Sequence, residues 1–174
     1  MGVKLAAASG GSIELVPTNT ASNFTVTVPA KTGTMAMDGP AFSAYASGTT
    51  TVPTATYTKI LFATEEFDTN NNFTSSTFTP TVAGYYQFNS CVYFTSATAA
   101  VEVLIFKNGS IAKAGMYVGP ISGVGVVSGI STIVYCNGST DYIDIYAYQA
   151  SGASCTAAAA PAYTWFNGAM VRSA

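Results

Sequence analysis

Residues 78–88 read Phe78-Thr79-Pro80-Thr81-Val82-Ala83-Gly84-Tyr85-Tyr86-Gln87-Phe88, a turn that feeds a β-strand. Pro80 has no N–H for a ladder, so it belongs at a strand edge or loop entry. Gly84 opens the strand, either because a side chain would crowd a close backbone approach or because φ is positive there. Beyond it Tyr86 and Phe88 share one face, in the period of two that a strand imposes. The pattern then recurs. Thr56 to Ala63, Gly84 to Phe94, Val101 to Lys107, Ile111 to Val118, Val124 to Cys136, Asp141 to Gln149 and Tyr163 to Val171 are all predicted strands. Asn108-Gly109 and Asn137-Gly138 are tight-turn signals between apolar runs. No window carries a helical period, and the run Ala157 to Ala160 is closed by Pro161. Many short strands at this spacing predict an all-β sandwich or jelly roll.

The strand Asp141 to Tyr148 bears on assembly. Ile143, Ile145 and Ala147 form one face, while Tyr142, Tyr146 and Tyr148 with Asp144 form the other. An outer strand ordinarily pairs an apolar face with a polar one. A second face rich in aromatics suits an interface, where rings pack and hydroxyls find partners. Charge points the same way: 8% of the 174 residues are charged, against roughly 25% in a typical soluble domain. The outer surface is therefore covered by Ser, Thr, Asn and Gly, or buried against another subunit. Tyr86, Phe88, Tyr142, Tyr146 and Tyr148 are the expected interface residues.

Several chemistries are disfavoured. The chain has no histidine, which removes Ser-His-Asp and Cys-His catalysis and every His-containing zinc site. Asp141 and Asp144 are poorly placed as an acid/base pair, so an enzyme is not expected, nor a cofactor. Cys91, Cys136 and Cys155 show no metal spacing and read as small buried side chains. Asp68, Asn70 and Asn72 imitate the start of a calcium loop, but Phe73 stands where that loop needs Gly and Thr79 where it needs Glu. Asn-x-Ser/Thr occurs at Asn23, Asn72, Asn108 and Asn137, as expected by chance in a chain so rich in these residues. A net charge of −2 with six scattered Lys and Arg argues against a nucleic-acid partner. No apolar run reaches the roughly 18 residues of a membrane span, and the N-terminus lacks the apolar core of a secretory signal. Trp165 and exposed tyrosines are able to stack on sugar rings, although packing in the core or at a subunit interface is the favoured reading of Trp165.

Residues 1–38 read differently from 39–174. Ile13-Glu14-Leu15-Val16 and the alternating Phe24-Thr25-Val26-Thr27-Val28 are two short strands separated by Pro17-Thr18-Asn19-Thr20. Two such strands bury too little surface to be stable alone. The arm must lean on other copies or on another surface, through Ile13, Leu15, Phe24, Val26 and Val28.

Two resemblances follow. Phe78, Gly84, Tyr86 and Phe88, with Phe62, Asp68 and Phe73 upstream, resemble the sequence pattern of the complement C1q globular head and its tumour necrosis factor-like jelly-roll relatives. Gly39 to Ser43 and Trp165 to Val171 are similar to that family's opening and closing strands. The chain departs from the pattern in two places: Phe73 to Phe78 is two residues short, as a trimmed connecting loop would make it, and Ser90 replaces an aromatic. The stretch Gly11 to Met37 resembles a module of bacteriophage fibre and appendage proteins, with Gly-Ser-Ile-x-Leu, Thr-Val-x-Val-Pro and Lys-Thr-Gly-Thr segments. Together these imply a homotrimeric antiparallel jelly-roll head, trimeric as that family is, on a short N-terminal β-arm. The implied protein sits on the exterior of a phage virion and is synthesised in the bacterial host cytoplasm. Its arm docks to the major capsid protein or another virion protein, as in a capsid decoration, cement or head-fibre protein. The arm is too short for a long tail fibre. The alternatives are the tip of a tail fibre or appendage that binds a host glycan, and, less favoured without a signal peptide, a secreted ligand.

Overall fold

A computed structural model describes residues 3–6, 10, 12–15, 39–95, 97–121 and 123–174. The described strands are β1 (Val3–Ala6), β2 (Ser12–Leu15), β3 (Ala41–Tyr45), β4 (Thr50–Val52), β5 (Thr58–Lys59), β6 (Thr64–Asp68), β7 (Phe73–Thr74) and β8 (Thr77–Phe78). They continue with β9 (Gly84–Phe94), β10 (Val101–Lys107), β11 (Ser110–Val118), β12 (Val126–Cys136), β13 (Ile143–Gln149), β14 (Cys155–Ala157) and β15 (Trp165–Ser173). The chain divides into two compact units, Met1–Gly33 and Thr34–Ala174. In the first, β1 and β2 pair antiparallel, Val3 opposite Leu15 and Leu5 opposite Ile13. Of the expected arm residues, Ile13 and Leu15 lie on β2, whereas Phe24, Val26 and Val28 lie outside the described residues.

The second unit is an antiparallel sandwich. In the larger sheet, β12 runs along the whole of β9. On the other edge of β9, β15 covers residues up to Cys91 and β14 takes over at Phe94. Then β3 and β6 complete one end and β4 the other. The smaller sheet has the order β11-β10-β13, with β5 and β8 sharing the far edge of β13 and β7 beyond β8. The all-β expectation holds throughout the described residues.

Alternation drives the two sheets together. Tyr86, Phe88, Val92 and Phe94 of β9 face Val103, Ile105, Ile143 and Ile145 of the smaller sheet, all fully buried. Burying each large apolar side chain contributes about 2 kcal/mol. Phe42 is the hub: its ring lies 4.9 Å from Phe73, 4.5 Å from Phe78 and 4.8 Å from Phe166. Gly168 is packed between Phe88 and Phe42, where any side chain would strike both rings. At Gly84, crowding rather than φ decides the residue, because a Cβ would lie 2.6 Å from the Arg172 carbonyl oxygen.

Three local readings change. Only Thr58–Lys59 of the 56–63 segment joins a ladder, though Ala55 and Ile60 also donate to Gln149 and Ile145 carbonyls and hold the segment along β13. Phe73 and Phe78 stand opposite each other across a two-residue turn at Ser75 and Ser76, which is how the short spacing between them closes. Asn137-Gly138 is no tight hairpin, because β12 and β13 belong to different sheets. Asn137 Oδ1 instead accepts the N–H groups of Ser139, Thr140 and Asp141 to shape a wider crossing.

Candidate interaction surface

The outer face of the larger sheet is the candidate site. Because inward positions of β9 are the even ones from Gly84 to Phe94, Tyr85, Gln87, Asn89, Cys91 and Tyr93 point outward. Register sets beside them Tyr135, Ile133, Ser131, Gly129 and Val127 from β12, and Ala169, Asn167 and Trp165 from β15. Strands β9 and β12 carry no charged residue along their whole length.

A hydrogen-bonded row crosses this face. Gln87 Nε2 donates to Ser131 Oγ at 3.0 Å and to Asn89 Oδ1 at 3.1 Å, and Ser131 Oγ donates to Asn89 Oδ1 at 2.8 Å. Asn89 Nδ2 donates onward to Asn167 Oδ1 at 3.0 Å. Ser43, opposite Asn167, donates to Glu66 Oε2 at 2.6 Å. Up to its end at Glu66, the row consists of neutral amides and hydroxyls held in place before any partner arrives. Aromatics border it. Tyr85 and Tyr135 lie 5.4 Å apart at one end, and Tyr93 and Tyr163 6.0 Å apart at the other. Trp165 stands half-exposed over a groove of about 510 Å³ shared with Asn89, Cys91, Met116, Gly129 and Ser131. Its neighbour Phe166 is the one that enters the core.

The expected interface residues fall elsewhere. Tyr86 and Phe88 are fully buried between the sheets, so they have no surface to offer a partner. Alternation fixes that they share a face but not which face is inward, and here the inner one takes both. Tyr142, Tyr146 and Tyr148 are half-exposed on the outer face of the smaller sheet, as the alternation of β13 requires. There the chain itself supplies partners: Tyr146 stacks on Phe106 at 4.0 Å and Tyr148 meets Tyr57 at 4.8 Å. Asp144, buried among them, pairs with Lys59 at 2.7 Å and accepts from Thr77 at 2.7 Å. The amide row escaped the sequence reading because Gln, Asn and Ser scattered over β9, β12 and β15 become neighbours only through register.

Titratable groups are committed to structure. Burial pushes the Cys136 thiol up to about 11, and raises Cys91 and Cys155 above their ordinary value, so all three are protonated at neutral pH. For Asp141, burial pulls the pKa upward. Hydrogen bonds from Lys107, Asn108 and the Asn137 N–H, with the Lys107 charge 2.8 Å away, outweigh it and hold the carboxyl below its usual range. Asp68 serves backbone: its two oxygens accept the N–H groups of Asn70 and Phe73. Among the described residues, no three His, Cys, Asp or Glu side chains gather as a metal site would require.

Solved structures share this arrangement of strands. The globular domain of zebrafish complement 1qA matches with a TM-score of 0.58 at 15% identity, over 79% of this chain and 100% of that one. The fold is a jelly roll of the C1q and tumour necrosis factor type. Murine APRIL at pH 5.0 matches with a TM-score of 0.61 at 11% identity, over 77% of this chain and 100% of its own. Eiger TNF from S. frugiperda matches with 0.60 at 6%, over 78% and 94%. Identities this low speak to fold alone. No protein-family model and no curated protein matches the sequence.

Proposed function

We propose that the chain is a self-associating structural protein whose jelly-roll heads join through the outer face of the larger sheet. The observation that carries this reading is the charge-free surface of β9 and β12, with its preformed amide row and aromatic border. Burying β9 and β12 desolvates no ion, the nearest charge of the row being Glu66 at its far end, and the aromatic border matches the ring-rich, charge-poor composition of interface cores. The smaller sheet's outer face suits the role less, since Tyr146 and Tyr148 are packed on Phe106 and Tyr57 within the chain and it carries Lys59, Asp144 and Glu102. Three copies are the proposed state, on the strength of the resemblance described above. The likeness of Gly11 to Met37 to phage appendage modules supports the virion exterior as its place, with the arm docked to a capsid or other virion protein as in a decoration or head-fibre protein.

Sedimentation equilibrium of the full chain tests the association. A mass of three chains is expected. Ile133→Lys with Ala169→Lys, which sets two charges beside Gln87 on the face, should leave a folded monomer. A wild-type monomer, or an undisturbed oligomer in the double variant, overturns the assignment of this face. Copy number against the major capsid protein tests the location: scores to hundreds per particle are expected of a decoration protein, and a few of a tail tip.

A second reading, a glycan-binding tip, draws on the half-exposed ring of Trp165 beside neutral amides. Glycan-array binding that is lost in a folded Trp165→Ala chain would favour it.

A further inference from the structure

The geometry points to a separate binding site on the smaller sheet: a seat for an arginine side chain of a partner protein, formed by Glu102 between tyrosine rings. Glu102 lies on β10 directly opposite Tyr148 of β13 on one side and Tyr117 of β11 on the other. Direct partners in a ladder share a face, with Cβ atoms about 5 Å apart. That face is the outer one, since Val101, Val103 and Ala147 beside them are fully buried in the core. Tyr57 extends the row, its ring 4.8 Å from Tyr148, and the adjoining β5 residue Thr58 pairs with Ala147 of β13. Tyr117 is 65% exposed and Tyr57 46%, so these two rings are open to a visitor.

Charge selects the occupant. Among the described residues Glu102 has no ion pair and accepts no side-chain hydrogen bond. Asp144, the other carboxylate of this face, is neutralised by Lys59. The row is left with one negative charge, flanked in register by tyrosines, whose rings attract cations. A guanidinium meets both demands at once, pairing its planar fork with the carboxylate and stacking on a ring, where an ammonium offers only a point charge. The site lies on the sheet opposite the self-association face, so it remains open if that face is covered, and its test does not depend on the oligomeric state.

The test is an NMR titration of the full chain with N-acetyl-arginine amide, alongside its uncharged isostere N-acetyl-citrulline amide and neutral methyl α-glucoside. Saturable shifts centred on Glu102, Tyr117 and Tyr148 are expected with the arginine probe. Glu102→Gln should weaken that binding at least fivefold, and so should Tyr117→Leu, an exposed change that leaves the core untouched. Equal shifts with citrulline or the glucoside, indifference to Glu102→Gln, or no shift with arginine would each overturn the assignment.

Discussion

Asn89 on β9 donates its side-chain amide to Oδ1 of Asn167 on β15, 3.0 Å away across the outer face of the larger sheet. The same Asn89 accepts from Gln87 and Ser131 through its own Oδ1. One residue thus ties β12, β9 and β15 together on the side away from the core. Ordered side chains lose little further freedom when a partner arrives, which favours binding.

The Asn89–Asn167 bond should be measurable as a coupling. Each net hydrogen bond contributes about 1 kcal/mol. Asn89→Ala, which removes several, should cost about 1–2 kcal/mol, and Asn167→Ala about 1 kcal/mol. In a double-mutant cycle the two should couple by about 0.5–1 kcal/mol. Urea denaturation at a fixed protomer concentration gives these values, the fixed concentration being needed because association itself stabilises. Strict additivity would mean the bond does not hold in solution.

Ser75 should be a site of easy stabilisation. It turns the Phe73–Phe78 hairpin with φ at +51°, and Ser76 follows at +60°. Both are left-handed values that cost a side-chain-bearing residue about 1 kcal/mol or more. Ser76 is buried and accepts the Phe62 N–H at 2.8 Å, so its side chain has a task. Ser75 is exposed and has none. Ser75→Gly should raise stability by up to about 1 kcal/mol, read as a higher urea midpoint. Ser76→Gly should gain less or lose, because it frees the Phe62 N–H.

This hairpin also marks where the sequence stops being legible. Asn108-Gly109 announces its turn by residue type, and both residues do take positive φ. Ser75-Ser76 makes the same kind of turn with no such signal, because a buried acceptor compensates the backbone cost. Two strands have the limits read from sequence, the alternating Gly84–Phe94 and the mostly apolar Val101–Lys107. The strand expected from Asp141 instead begins at Ile143, because Asp141 and Asn137 are tied up in the turn before it. The face of a strand was harder. On β13 the aliphatic side had to be inward, and Ile143 and Ile145 are. On β9 aromatics stand at both parities, Tyr85 and Tyr93 outward, Tyr86 and Phe88 inward, so composition could not choose. The amide row needed register as well, which depends on partners far away in the chain.

Acid should probe Asp141. Its carboxyl is held below the ordinary carboxylate range in the folded chain, so it contributes stability above its unfolded pKa of about 4. That contribution is lost as pH falls through the lowered folded value, when protonation breaks the Lys107 pair. Asp141→Asn should be less stable at pH 7 and should show a flatter decline in urea midpoint between about pH 5 and pH 2. Parallel acid profiles for the two proteins would show that the pair carries no such linkage.

Alkali should probe Tyr86. Burial, with a smaller contribution from the neighbouring Cys136, pushes its phenol up to about 12. The hydroxyl donates to the Val82 carbonyl at 2.7 Å, which anchors the turn before β9. A raised folded pKa means the stability is fully present below the unfolded value of about 10 and is lost as pH climbs toward 12. In an absorbance titration at tyrosinate wavelengths, ionisation of Tyr86 should coincide with unfolding. Tyr86→Phe keeps the ring between Phe78 and Phe88 but leaves the Val82 carbonyl without its donor. It should cost about 1 kcal/mol at pH 7 and shift the alkaline transition upward, since the core then holds no phenol at that position to ionise. An unchanged alkaline midpoint would place the first rupture of the folded chain at another group.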